Sequence, residues 1–328
     1  MLRVAFLVCL LTIVVLAGFT HWKAAQIAAA HPPTGKFVEI GGARLHYTER
    51  MPAEAERATV LLIHGASGNQ ADIMLALGDR LAGLGFRVLA FDRPGHGWSD
   101  RPDGRADAAP DIQAKRIRQG VEALGVREAI VVGHSLAGAV ATNLAIDQKP
   151  FVAGLVLVSA VTHPWPGGVA WYYTIASTPI VEQVFARLIT LPLGLALTPM
   201  GVDAVFAPNT PPPGYIEKTG LQLLFRPNDF IANAQDVAGL KAFVGRQASR
   251  LGEIEAPTAI ITGETDSVVS PEIHSVGSAR EIRGATLTML KGAGHAPQWT
   301  DPQAVIDAIV DVQKRIETIR KPAAAQTR

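Results

Sequence analysis

The chain has 328 residues, and its 30 lysine and arginine side chains nearly balance 29 aspartate and glutamate side chains, leaving a formal net charge of +1. This length accommodates one large core with an insertion, while the near-neutral charge and scattered basic residues argue against a nucleic-acid partner. The single cysteine, Cys9, lies in the apolar N-terminus, so the rest of the chain has no internal disulfide.

The first predicted element is an apolar N-terminal helix. After Arg3, an uncharged run from Val4 to Thr20 has about 17 residues, at the short end of what spans a bilayer, and it has no polar face. The run predicts either an uncleaved membrane anchor or a secretory signal peptide. We favour the anchor because Trp22 and Lys23 are residue types found at the membrane surface, whereas the potential cleavage site at residues 28–30 lies far beyond the apolar run.

This interpretation divides the N-terminal region into an anchor or signal segment, residues 1–23, and a linker, residues 24–35. The protein would be membrane-anchored by a single pass or exported to the cell envelope. Its orientation stays open because Arg3 and Lys23 place one charge on each side. Since every candidate catalytic residue lies after Ile63, we expect the segment before about Pro33 to contribute nothing to catalysis. The sequence does not indicate an oligomeric state.

From residue 36 onward, strand patterns alternate with helix patterns. A hairpin that turns at Gly41-Gly42 comes first, and helices separate the apolar strands that follow. Near-continuous apolar strands between helices are typical of a mostly parallel sheet covered by helices on both faces, an α/β fold. The predicted strands are Phe37–Ile40, Arg44–Thr48, Thr59–Ile63, Arg87–Phe91, Glu128–Val132, Ala153–Ser159, Thr258–Thr262 and Thr286–Leu290, and the predicted helices are Asp72–Leu84, Asp111–Leu124, Leu136–Gln148, Pro271–Arg280 and Pro302–Thr318.

One strand-to-helix junction carries a candidate nucleophile. A strand ends at Gly133-His134-Ser135, and the sequence runs directly into helix formers. A serine at such a turn is strained and exposes its hydroxyl, while the N–H of Leu136 and the helix N-terminus favour negative charge nearby. The segment approximates G-x-S-x-G, with Ala137 in the last position and Gly138 one residue late. Taken alone, it could also be a helix-capping serine.

Two later residues supply what a nucleophilic serine requires. A serine needs an imidazole to accept its proton and a carboxylate to orient that imidazole. Asp266 comes after the strand Thr258–Thr262, at the edge where parallel sheets bind ligands. His295 lies on a glycine-containing loop after the last strand. Because Glu264 should point to the opposite side of its turn, Asp266 is the preferred acid.

A long insertion separates the fourth parallel strand from the fifth. About a hundred residues lie between Ser159 and Thr258, too many for a simple crossover. They predict a helical cap, residues 161–250, inserted between the two parts of a catalytic domain, residues 36–160 and 251–319. Such a cap would pack on the main domain, exclude water and provide an apolar pocket. The candidate pocket residues are His134, Trp165, Trp171 and Trp299.

With these motifs in order, the chain from Phe37 to Ile316 resembles the α/β-hydrolase family. The succession of Ser135, Asp266 and His295 matches that family's order of nucleophile, acid and base. The resemblance therefore implies that these three residues form a catalytic triad.

Two further segments carry the same resemblance. His64-Gly65-Ala66 follows a strand, as the oxyanion loop of the family does. The resemblance implies that the backbone N–H groups of Ala66 and Leu136 form the oxyanion hole. The segment from Phe91 to Asp100 resembles a family loop that braces the site without taking part in catalysis.

The nucleophile restricts the chemistry within this family. Haloalkane dehalogenases and epoxide hydrolases of this fold use aspartate at that position, so Ser135 argues against both. The resemblance implies a serine hydrolase that cleaves carboxylic esters of small hydrophobic substrates through an acyl-enzyme. No residues have metal-ligand spacing and no phosphate-binding glycine loop follows a predicted strand, so neither a metal nor a cofactor is expected.

Other activities on the same scaffold stay open. Residues 294–299 resemble the histidine loop of meta-cleavage C–C bond hydrolases, which use a cap arginine, and Arg187 is a candidate for that role. Acyl transfer to an acceptor other than water, including perhydrolysis, is a second alternative. A ligand receptor that retains the triad but turns over slowly is a third.

Overall fold

A computed structural model describes residues 1–325. Its eight strands are Lys36–Ile40 (β1), Ala43–Arg50 (β2), Ala58–Ile63 (β3), Phe86–Phe91 (β4), Ala129–His134 (β5), Val152–Val158 (β6), Thr258–Gly263 (β7) and Thr286–Leu290 (β8). They form one sheet in the order β1-β2-β4-β3-β5-β6-β7-β8. β1 and β2 form an antiparallel hairpin, β2 pairs antiparallel with β4, and the other neighbouring pairs are parallel.

Helices lie between the strands and at both ends of the chain. They are Leu2–Ala30 (α1), Gln70–Gly83 (α2), Pro110–Ala123 (α3), Ala137–Asp147 (α4), Trp171–Ala176 (α5), Val181–Phe185 (α6), Leu191–Phe206 (α7), Tyr215–Thr219 (α8), Pro227–Gln247 (α9), Gly277–Glu281 (α10), Pro297–Thr300 (α11) and Pro302–Ala325 (α12). A π-helical turn, Ala186–Thr190, joins α6 to α7, so helix runs without interruption from Val181 to Phe206.

The core lies on both faces of the sheet because successive strand residues point to opposite sides. Leu61 and Ile63 of β3 pack with α3 and α4 in one buried cluster. Val60 and Leu62 pack with α2 and α12 in the other. Strands buried on both faces must be apolar at every position, which explains the continuous apolar runs in the sequence. The predicted α/β fold with a mostly parallel sheet is confirmed.

The predicted strands all lie within one or two residues of those observed. One predicted helix and the predicted linker need correction. The predicted helix Pro271–Arg280 is a π-helical turn, Glu272–Val276, followed by the short helix α10. The predicted linker, residues 24–35, is wrong in its first half because α1 continues to Ala30. The alanine-rich sequence there has high intrinsic helix propensity, which sustains the helix beyond its apolar part.

The insertion between β6 and β7 is helical. It contains α5 to α9, and its core consists of apolar side chains from several of these helices. Phe185, Leu191, Phe225 and Phe230 are buried members of this cap cluster. The described part of the chain includes two helices long and apolar enough to span a membrane, α1 and the run Val181–Phe206.

The end of α1 packs on the cap. Ile27 of α1 is 2% exposed and belongs to the cap cluster. Beyond the helix end, the His31 carbonyl accepts a 3.1 Å hydrogen bond from the Trp98 indole N–H. No pattern in the sequence indicates this contact, since one isoleucine among alanines does not form an apolar stripe. The last turns of α1 are part of the folded body.

Candidate active site

Ser135 lies at the sharp turn between β5 and α4. Its φ of +54° is in the left-handed region, which costs a residue other than glycine of order 1 kcal/mol. Backbone hydrogen bonds hold the turn, from Ser135 N to Val158 O at 3.0 Å and from Val161 N to Ser135 O at 2.9 Å. The tight approach occurs at Gly138, where a Cβ atom would lie 2.6 Å from Ala160 Cβ. Alanine is therefore accommodated at position 137, and the glycine is needed one residue later.

The three residues predicted as a triad are brought together in one hydrogen-bonded series. His295 Nε2 lies 2.9 Å from Ser135 Oγ, and His295 Nδ1 lies 2.8 Å from Asp266 Oδ2. Because an ionised carboxylate only accepts hydrogen bonds, Nδ1 carries the imidazole proton and Nε2 is free to accept one from serine. All three side chains are buried, at 8% exposure for Ser135, 4% for His295 and 6% for Asp266.

The environment of Asp266 favours its ionised form. Burial opposes ionisation, but the hydrogen bond and charge of His295 and the N–H groups of Val269 and Val268 outweigh it and lower the pKa of Asp266. Both N–H groups donate to Oδ1 at 2.9 Å, leaving Oδ2 for His295. Glu264, in contrast, is exposed.

The candidate oxyanion donors lie beside the serine. A Cβ atom on Gly65 would lie 2.8 Å from Ser135 Cβ, so the loop carrying Ala66 passes directly over the nucleophile. Leu136 is the residue after Ser135, at the N-terminus of α4. Within residues 1–325, the N–H groups of Ala66 and Leu136 donate no hydrogen bond to another protein group. Two unpaired backbone donors beside a serine hydroxyl are the arrangement that stabilises a developing oxyanion.

A buried arginine forms hydrogen bonds to the backbone of the loop that carries Ala66. Arg93 has no exposed surface, and it donates to the carbonyl oxygens of His64 at 3.1 Å and Gly65 at 3.0 Å. Its charge is balanced by Asp236 of α9, 2.5 Å away. His64 Nε2 accepts a hydrogen bond from Arg93 N at 3.0 Å, so its Nδ1 donates to the Gly65 carbonyl. Burial and the Arg93 charge lower the pKa of His64 well below its ordinary value, which keeps this imidazole neutral.

A second contact fixes the loop to α9. The buried side chain of Asn233 accepts a 2.7 Å hydrogen bond from Ser67 N and donates to Ser67 Oγ at 3.2 Å. Ser67 has a φ of +58°, a strained conformation that these bonds offset. Asn233 and Asp236 were not among the predicted site residues. They lie in an ordinary helical pattern about 170 residues downstream of the loop, with no local motif to mark them.

His134 supports the catalytic histidine loop. Its Nε2 donates to the His295 carbonyl at 3.1 Å, and the two rings lie 5.1 Å apart. Burial and the neighbouring His295 charge lower the pKa of His134 to about 4, so it stays neutral near neutral pH. Within the described chain its Nδ1 is buried without a hydrogen-bond partner.

The three candidate pocket tryptophans occupy different environments. Trp165 packs against the buried cluster that contains Leu136, and Ala66 packs against the same cluster. Trp171 is 66% exposed on the cap and contacts Tyr172. The Trp299 indole donates to Asp72 at 2.8 Å, which ties the segment after His295 to α2.

Within residues 1–325, no group of three or more histidine, cysteine, aspartate or glutamate side chains could hold a metal ion. The arrangement offers a hydroxyl, a proton acceptor and two free N–H donors, which together suit attack on a carbonyl carbon.

Comparison with known proteins identifies the family. The sequence model of the alpha/beta hydrolase family matches residues 60–308. The chain belongs to the alpha/beta hydrolase family. An uncharacterized protein of Mycobacterium tuberculosis is 31% identical to it over 293 residues, which cover 85% of this chain and 80% of the relative. A 2-hydroxy-6-oxo-6-phenylhexa-2,4-dienoate hydrolase of Burkholderia cepacia is 25% identical, over 83% of this chain and 93% of that enzyme.

Solved structures show the same fold. An esterase from Exiguobacterium antarcticum has a TM-score of 0.65 at 20% identity, covering 86% of this chain and 100% of its own. A bacterial membrane phospholipase A has a TM-score of 0.65 at 22% identity, covering 97% of this chain and 99% of its own. The match to the alpha/beta hydrolase sequence model begins at residue 60, so α1 and the hairpin lie outside it.

Proposed function

We propose that this alpha/beta hydrolase is a membrane-anchored serine hydrolase that cleaves carboxylic esters of hydrophobic substrates. The observation that carries the proposal is the unbroken hydrogen-bonded series from Ser135 through His295 to Asp266. Because a serine hydroxyl alone is a weak nucleophile, this series is the feature that would make it reactive at neutral pH.

The reaction would proceed in two acyl transfers. Ser135 Oγ attacks the ester carbonyl carbon while His295 Nε2 takes the hydroxyl proton, and the carbonyl oxygen becomes an oxyanion beside Ala66 N and Leu136 N. Collapse breaks the bond to the alcohol oxygen, which leaves with the proton from His295. Water then attacks the acyl-enzyme, passing a proton to His295, and the carboxylic acid is released as Ser135 regains its proton.

The position of Arg187 favours ester cleavage over C–C bond cleavage. This cap arginine is exposed and hydrogen-bonds to its helical neighbour Gln183. It lines an outer groove of about 770 Å³ with Trp98 and Arg226, and no triad residue lines that groove. Arg187 therefore lies in a groove separate from the triad, where it would not bind an acidic dienol ketone held at Ser135.

The anchor assignment rests on α1. Residues from Leu2 to Val15 are exposed and α1 is long enough to span a bilayer. The membrane phospholipase A whose fold covers 97% of this chain supports the same arrangement. We assign residues 1–23 to the anchor, 36–160 and 251–319 to the catalytic domain, and 161–250 to the cap.

A fluorophosphonate probe tests the nucleophile directly. The full-length protein in detergent should be labelled once, and Ser135→Ala should abolish both labelling and ester hydrolysis while leaving the fold intact. Ser249→Ala removes an exposed serine hydroxyl on the same chain and should change neither. A panel that compares ester chain lengths with a dienol ketone then separates the two bond classes. Labelling that survives in Ser135→Ala would refute the assignment.

A further inference from the structure

The exposed side of the cap helix run Val181–Phe206 is apolar. Six of its side chains are between 43% and 65% exposed, and we call them the cap apolar face: Val181, Val184, Ile189, Leu193, Leu197 and Met200. The last four are spaced by four, four and three residues, which puts them on one stripe of the helix. No charged residue occurs between Arg187 and Asp203. A contiguous exposed patch of this kind is typical of a binding surface.

The anchor helix leaves the body beside this face. Ile27 of α1 packs in the same cluster as Phe185 and Leu191, which lie on the buried side of the same helix run. Six residues earlier in α1, His21 lines a groove together with Gln183 and Arg187. One end of the cap apolar face is therefore adjacent to α1.

The length of the exposed part of α1 indicates where on the protein the bilayer surface would lie. Thr20 is its first buried residue, at 1% exposure, and the residues before it, Leu2 to Phe19, are exposed apart from the half-buried Leu16 and Ala17. A helix of that length spans about 27 Å, close to the hydrocarbon thickness of a bilayer. Trp22, which is 55% exposed, and Lys23 follow at once, and both are suited to the interface. The bilayer surface would then lie where α1 meets the cap.

We propose that the lipid bilayer covers the cap apolar face, so that the cap forms a second membrane contact beside the anchor. This inference rests on the anchor role of α1 proposed above. An uncharged apolar stripe can contact acyl chains without requiring a specific alignment of the lipids. Arg187, at the edge of the stripe, can extend its guanidinium to the lipid headgroups. The site beneath the cap would face the membrane, and its substrate class would be acyl esters that reside in the bilayer.

Site-directed fluorescence in vesicles tests the contact with the full chain. The single native cysteine, Cys9, lies on the exposed part of α1 and reports the anchor. In a Cys9→Ser background, Leu193→Cys and Met200→Cys report the cap apolar face. Met51→Cys is a matched control, because Met51 is 58% exposed and follows β2 at the edge of the sheet opposite the site. Each protein is labelled with an environment-sensitive dye and reconstituted into phosphatidylcholine vesicles, with or without bromine on the acyl chains.

We expect labels at positions 9, 193 and 200 to shift to the blue and lose fluorescence in brominated vesicles, and the label at position 51 to do neither. Quenching at position 9 without quenching at 193 and 200 would overturn this inference and leave the anchor standing. No quenching at position 9 would refute the anchor itself. A blue shift at 193 and 200 without bromine quenching, with energy transfer between chains, would show that a second copy covers the face and would also overturn the inference.

Discussion

The catalytic edge of the sheet and the cap above it are held by different forces. At the loop that carries Ala66, the buried guanidinium of Arg93 and the amide of Asn233 form directional bonds to the loop backbone, and Asp236 pairs with Arg93. The cap cluster consists of apolar side chains, with Ile27 of α1 among them. Charge-assisted hydrogen bonds fix positions within tenths of an ångström, whereas apolar packing has no preferred direction. Directional bonds thus join α9 to the loop beside Ser135, whereas the cap cluster is held together by apolar packing.

The largest effects should come from breaking the triad. Replacing Asp266 with asparagine leaves the shape but removes the charge that holds the His295 proton on Nδ1, so kcat should fall by about 10³ to 10⁴-fold. Glu264→Gln changes the neighbouring exposed acid in the same way and should leave kcat within a factor of two or so. Steady-state hydrolysis of a short-chain ester measures both variants. The opposite ranking would identify Glu264 as the acid.

The next effect should come from the buried ion pair. Asp236 accepts hydrogen bonds from Arg93 and also from Gln113 at 2.9 Å and Arg101 at 3.0 Å. Asp236→Asn leaves Arg93 buried without its counter-charge, so the free energy of unfolding should fall by about 3–5 kcal/mol. Denaturant titration of the full chain in detergent micelles measures the loss.

An exposed ion pair provides the control for that measurement. Glu128 pairs with Arg320 at 2.7 Å, and both side chains are about half exposed. Glu128→Gln should cost less than about 1 kcal/mol because water screens the pair. Equal losses in the two variants would mean that the oxyanion loop does not depend on the buried charges.

A smaller effect should appear as a pH dependence of stability. Burial and the charge of His163 lower the pKa of His274 from 6.5 to about 4. Between these values the unfolded chain binds a proton that the folded protein excludes, so the free energy of unfolding falls as the pH is lowered from 6.5 to 4. His274 Nδ1 accepts hydrogen bonds from Thr162 N and His163 N, and asparagine keeps an acceptor without titrating.

His274→Asn should therefore flatten the slope of stability against pH by up to about 1.4 kcal/mol per pH unit within this interval. Ser249→Asn, which introduces asparagine at an exposed position that carries no titratable group, should leave the slope unchanged. Thermal unfolding followed at several pH values measures the slope. A slope that His274→Asn leaves unaltered would show that His274 titrates alike in the folded and unfolded protein.

The catalytic edge of the sheet and the cap also differ in how far the sequence predicts their structure. The strands, the Ser135 turn and the order of Asp266 and His295 could be predicted because each depends on neighbouring residues: apolar runs, small residues at a turn, a carboxylate after a strand. The brace from Asn233 and Asp236 could not be predicted, because it joins α9 to a loop more than 150 residues away, and only the folded topology brings the two together. The contact between α1 and the cap could not be predicted for the same reason, because Ile27 packs with cap residues that are distant in the sequence.

The smallest predicted effect tests whether the end of α1 belongs to the cap core. Ile27→Val deletes one buried methylene group from the cap cluster, where neighbouring side chains fill the space only in part, so the local free energy of unfolding should fall by about 1 kcal/mol. Ile13→Val makes the same deletion at a position 43% exposed on the free part of α1 and should have no effect on the cap. Hydrogen exchange of α9 amides in the full chain measures this local stability, and faster exchange should appear in the first variant alone. Identical exchange in both variants would mean that α1 does not stabilise the cap. The cap would then be stabilised by contacts among its own helices.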